Sequence, residues 1–183
     1  MRGAYALIAV LVVALGVAAG FAIGRGTGSD TVTTNVTTTT VVQSSTLPPA
    51  VDRTRRRILA AARAHDWEAL RRVIGDRPIR YTFGEDVPGG PIAFWKRAEQ
   101  QGGKPIETLA AIMELPYTLS HGIYFWPFAY TTPPAELTPY EVRLLSSYTT
   151  KADVAKWKAF GGYFGYRAGI AADGTWQLYV SGD

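Results

Sequence analysis

The sequence predicts an α+β fold: one small domain of several short helices packed on a small antiparallel sheet, preceded by one transmembrane helix. Three observations carry this. Tyr5 to Ile23 is an uncharged apolar run. A threonine-rich stretch with almost no large apolar side chain follows it. Beyond Val51, runs of helical spacing mix with short aromatic runs and close on a hairpin signal. The chain therefore divides into an anchor or signal peptide over residues 1–24, a linker over 25–50 and a domain over 51–183.

At about 1.5 Å per residue, a helix over Tyr5–Ile23 reaches roughly 30 Å, the thickness of a bilayer core. Arg2 precedes it and Arg25 follows it, so the flanking charges barely set orientation. Val17-Ala18-Ala19 offers small residues suited to signal-peptide cleavage, whereas the length of the run favours a retained anchor. Gly16, Gly20 and Gly24 fall close to one helix face, where missing side chains let a second helix approach; this is a candidate homodimer contact.

The linker centres on Thr31-Val32-Thr33-Thr34-Asn35-Val36-Thr37-Thr38-Thr39-Thr40. Such composition buries too little apolar surface to offset the entropy of ordering. Clustered threonines suit O-glycosylation, and Asn35-Val36-Thr37 fits the N-glycosylation pattern. Pro48-Pro49 marks its end.

In the domain, Val51–Ala64 reads as a helix, with Ile58, Leu59 and Ala62 toward a core. Asp66 caps a second helix, Trp67–Ile74, which Gly75 stops. Ile79–Phe83 alternates as a strand, and Gly84–Gly90 is a loop. Pro91 and Pro105 open helices to about Gln101 and Leu115, because a first-turn proline loses no hydrogen bond there. Gly122–Tyr130 reads as an aromatic strand, bent or put at an edge by Pro127. Thr138 with Glu141 and Thr150 with Asp153 are capping boxes for two more helices, to about Ser147 and Phe160. A hairpin closes the chain, Gly162–Ala171 and Thr175–Val180 about Asp173-Gly174.

Composition narrows the chemistry. With no cysteine among 183 residues, disulfides, thiolate nucleophiles and cysteine-ligated zinc are excluded. The net charge is +4, and the excess lies early, from Arg53 to Arg80. Basic asymmetry can serve nucleic acid, an anionic membrane or an envelope polymer; the anchor argues against nucleic acid. Arg53, Arg56 and Arg63 share a helix side with Ala60 and are candidates for contact with an anionic surface. A solvated helix face is the plainer reading.

The other candidates are weaker. His65 and His121 are the only histidines; they lack i, i+4 pairing, and no metal or cofactor site is expected. His121 is a candidate general base and otherwise a turn residue. Glu85 and Asp86 lie in a glycine-containing loop whose acids would repel phosphate. They join Glu114 and Glu136 as the carboxylates that a hydrolase would set across a cleft. Strand alternation would send Tyr124, Trp126, Phe128 and Tyr130 to one face and Phe125 to the other. An exposed face of that kind suits stacking on a ligand, and a buried one is core; Trp95 is a further candidate for ligand contact.

Ala64-His65-Asp66-Trp67-Glu68-Ala69-Leu70, Tyr81-Thr82-Phe83-Gly84, Phe94-Trp95, Tyr124-Phe125-Trp126-Pro127, Gly165-Tyr166-Arg167 and Gly182-Asp183 together resemble a type of bacterial envelope protein seen mainly in high-GC Gram-positive bacteria. That resemblance implies a location and no activity. Ala61–Tyr81, helix-helix-strand, is also similar to the start of NTF2-like domains, from which the later helices depart.

The resulting expectation is a single-pass membrane protein with its C-terminal domain outside the cytoplasm. It acts as a non-catalytic binding module for an envelope polymer or a protein partner. The alternative is an envelope hydrolase using carboxylates or His121.

Overall fold

The computed structural model describes residues 46–182. The anchor, with Gly16, Gly20 and Gly24, and nearly all of the linker lie outside the described residues. Among those described, no helix is long and apolar enough to cross a membrane.

Helix α1, Pro49–Arg63, starts on a proline in its first turn with Asp52 beside it and ends on Arg63, charges that suit the helix dipole. It buries Val51, Ile58, Ala61 and Ala62. Helix α2, Trp67–Ile74, starts where Ala69 N–H donates to Asp66 Oδ1 at 2.8 Å. It stops at Gly75, whose φ of +64° suits glycine. Helices α3, Gly90–Gln100, and α4, Pro105–Glu114, follow with prolines in their first turns. Two short helices come later, α5, Pro139–Leu145, and α6, Lys151–Phe160. In both, the threonine and the acid three residues on cap each other reciprocally.

Four strands form one sheet in chain order, all antiparallel: β1, Thr118–Ser120; β2, Ile123–Trp126; β3, Arg167–Ala171; β4, Trp176–Val180. His121 and Gly122 join β1 to β2 with φ of +50° and +77°, as a two-residue turn with left-handed central residues requires. Register puts Tyr124, Trp126, Ala168, Ile170, Trp176 and Tyr179 on one face. This face meets side chains of α1, α3 and α4 in the main core. There Trp95 packs on Trp176 and Tyr179, and Tyr179 donates its hydroxyl to Pro105 O. Leu145, Val154 and Trp157 of α5 and α6 join Leu115, Phe128 and Tyr163 in a second cluster.

Besides adding β1, which the pattern does not mark, the structure departs from the sequence pattern in three places. Ile79–Phe83 is extended but pairs only at Arg80, which bridges Leu178 in parallel beyond β4. Pro78 has no N–H to extend the pairing, and Gly84 N–H donates back to Thr82 Oγ1 at 3.0 Å as the chain turns away. The aromatic strand ends at Trp126 because Pro127 has no N–H for the ladder, and a 3₁₀ turn, Phe128–Tyr130, follows. Tyr130 consequently leaves the predicted face and packs on Phe125, ring centroids 4.5 Å apart. Finally, the hairpin begins at Arg167, not Gly162; residues 162–166 approach the chain end instead, where Gly182 N–H donates to Phe164 O at 3.1 Å.

Candidate functional site

The aromatic candidates divide. Trp95 is 1% exposed and Trp126 0%, so neither ring is available for stacking on a ligand, and both are corrected to core. Their indole faces are already covered by Trp176, Tyr179 and Tyr117. Tyr124 is half-buried against Tyr117.

Tyr130 belongs to a group that sequence pattern did not reveal. The Arg167 guanidinium sits 5.0 Å from the Tyr130 ring centre and 5.1 Å from that of Phe83. Arg167 Nη1 also donates to Gly182 O at 2.9 Å. Flat guanidinium between aromatic faces is favourable, and more so when partly desolvated. Phe83 closes the outer side of this clamp while remaining 45% exposed. The available signal is a lone charge in an otherwise apolar strand, Arg167-Ala168-Gly169-Ile170-Ala171, which has to find partners to be buried.

The acid and histidine candidates do not converge. His121 is exposed on the β1–β2 turn, its Nδ1 hydrogen-bonded to Ser120 Oγ at 2.9 Å. Glu85 and Asp86 lie in the loop after the Arg80 segment, beyond the opposite edge of the sheet. Three strand spacings separate β2 from that segment, roughly 14 Å, too far for a shared proton transfer. Glu114 binds Arg63 at 2.7 Å, Glu99 meets His65 Nε2 at 3.1 Å, and Glu141 is committed to its capping box. Glu136 lies in a 3₁₀ turn before α5. No three His or acidic side chains are grouped to hold a metal among the described residues.

The arginine candidates are all exposed on α1, but their charges are not equally available. Arg56 pairs with Asp52 at 2.7 Å and Arg63 with Glu114 at 2.7 Å. Arg55 leans inward to donate its Nε–H to Met113 O at 2.8 Å, and burial lowers its pKa. Arg53 and Arg57 have no side-chain partner among the described residues. They stand four apart, hence on one side of the helix. Arg57 also lines a shallow groove of about 340 Å³ between α1 and α2, together with Ala60, Ala61, Ala64 and Ala69 and the Asp66–Arg72 pair. The free pair is therefore Arg53 and Arg57, not Arg53 with Arg56 and Arg63.

No protein-family model, curated protein or solved structure matches the chain.

Proposed function

We propose that the chain is a membrane-anchored, extracytoplasmic binding module whose helix α1 meets an anionic component of the cell envelope. The observation that carries this reading is the Arg53–Arg57 pair. Two guanidinium groups project together without an acidic partner among the described residues. They lie within two turns of the point where the linker ends. Near an anionic surface each such charge contributes roughly 1 kcal/mol, and the contribution is screened by salt. The apolar run Tyr5–Ile23 supports the anchor, and the threonine-rich linker supports an outward-facing domain. A second copy packing on Gly16, Gly20 and Gly24 belongs to the same reading.

Protease added to intact spheroplasts tests the placement. The domain should be degraded from outside without lysis. Protection that persists until the membrane is broken would sink the topology.

A further inference from the structure

The segment running past β4 has an open outer edge. Arg80 N–H donates to Gln177 O and Arg80 O accepts from Tyr179 N–H, both at 2.9 Å. In a strand, successive backbone groups point to opposite sides, so the N–H and C=O groups of Ile79 and Tyr81 face away from β4. These four groups make no hydrogen bond among the described residues. Ile79 and Tyr81 are 8% and 5% exposed, and both line two clefts that adjoin this edge.

One cleft, about 460 Å³, is lined by Arg80, Thr82, Phe83 and Gln177. The other, about 500 Å³, is lined by Ile74, Val87 and Pro91. Ile79, Tyr81 and Asp86 border both. A backbone edge between two clefts is the arrangement that an added strand needs. Its main chain would take the four free groups, and its side chains would alternate between the clefts.

The two clefts differ in chemistry, which specifies the occupant. The second cleft combines the apolar side chains of Ile74, Val87 and Pro91 with the charged Asp76, Arg77 and Asp86. The other side presents the Arg80 guanidinium, which is exposed and has no side-chain partner among the described residues. We propose that the Ile79–Tyr81 edge binds an extended segment of another protein as an additional strand, with apolar side chains on one face and an acidic side chain opposite Arg80. The inference rests on the domain being a binding module, but not on its membrane placement or on the Arg53–Arg57 contact.

The test uses the full chain in neutral detergent micelles and synthetic peptides of alternating Val-Glu and alternating Val-Lys sequence. The Val-Glu peptide should bind and slow amide hydrogen exchange at Ile79 and Tyr81. N-methylation of one alternate set of its backbone nitrogens should abolish binding, and methylation of the other set should not. Arg80→Glu should weaken Val-Glu binding by about tenfold and favour Val-Lys. Because the Arg80 side chain supports nothing else, the variant should keep the wild-type circular dichroism; Arg80→Gln, with an intermediate loss, serves if it does not. Binding of neither peptide, equal binding of both, or indifference to N-methylation would overturn the proposal. So would protection of these amides by self-association alone, which would assign the edge to a second copy. None of these failures would move the spheroplast result.

Discussion

Trp95 of α3 lies stacked on Trp176 of β4, ring centroids 5.8 Å and planes 26° apart. The pair joins helix to sheet at the centre of the main core, with Tyr179 edge-on to Trp95 at 5.4 Å. Trp95→Ala should therefore cost about 3–5 kcal/mol, the usual range for emptying a buried aromatic site. Urea unfolding followed by circular dichroism measures it. Trp67 is half-buried beneath Lys96, and Trp67→Ala should cost clearly less. Equal costs would mean that the Trp95 stack does not organise the core.

The helix starts at Thr138 and Thr150 should each depend on one hydroxyl. Thr150→Ala removes the oxygen that accepts Asp153 N–H at 3.1 Å, and a loss of about 1 kcal/mol is expected. The same cap responds to acid. The Thr150 hydroxyl, donating to Asp153 Oδ2 at 2.6 Å, holds the Asp153 pKa below its ordinary value. Thr175 N–H does the same for Asp173. Depressed carboxylate pKa values add stability above the unfolded value, about pH 4, and that stability is lost as pH falls through the folded value. Acid unfolding of Thr150→Ala should accordingly be less steep than that of the wild type.

These caps also show which features were legible in the sequence. Asp66, Thr138 with Glu141, and Thr150 with Asp153 act within three residues, so spacing alone reveals them. The Asp173-Gly174 turn is equally local. Alternation marks Ile79–Phe83 as a strand, but its pairing depends on whether a distant β4 offers a matching edge. Alternation puts Tyr130 on the Tyr124 face only while the ladder lasts, and the ladder ends at Trp126. Strand β1 has three residues, too few for any period. For the site, the arginine residue types on α1 were legible but their availability was not. Asp52 neutralises Arg56 within one turn, whereas Arg63 is neutralised by Glu114 from another helix. The Arg167 clamp joins three separate chain segments.

That difference in availability is measurable. The full chain in neutral micelles should be retained on a polyphosphate resin and released by salt. Arg53→Gln with Arg57→Gln should lower the releasing salt concentration markedly. Arg56→Gln with Arg63→Gln removes the same formal charge from residues already paired, so its effect should be smaller. An equal shift for both double variants would show that only net charge matters and would remove the special role of α1's free pair.

Gly165 is a packing glycine rather than a turn glycine. A Cβ there would lie 2.5 Å from the Tyr163 hydroxyl oxygen, 2.6 Å from Tyr163 Cζ and 3.0 Å from Trp157 Cζ2. Tyr163 is itself held in place, donating to Tyr166 O and hydrogen-bonded to Tyr148 at 2.9 Å. The ring cannot retreat without breaking those bonds, so Gly165→Ala should destabilise by about 1–3 kcal/mol. At Gly162 the nearest atoms to a new Cβ are 3.5 Å away, and Gly162→Ala should change thermal unfolding little.

The same tyrosine pair predicts how the domain meets alkali. Burial raises the pKa of Tyr148, Tyr163 and Tyr179; the neighbouring Tyr148 raises Tyr163 further. Free phenols ionise near pH 10. Above that pH the unfolded chain releases protons that these three hydroxyls retain in the fold, so unfolding is driven by rising pH. Their contribution is complete below about pH 10 and is lost as pH climbs toward the folded values. Phenolate absorbance should therefore rise in two stages. In the first, circular dichroism is unchanged. In the second, Tyr148, Tyr163 and Tyr179 ionise together as the structure is lost. Tyr148→Phe should reduce the second stage by one phenol and leave Tyr163 with Tyr166 O as its hydrogen-bond partner. A single smooth titration, with all phenols ionised before the dichroism changes, would show that the Tyr148–Tyr163 hydroxyls are open to solvent.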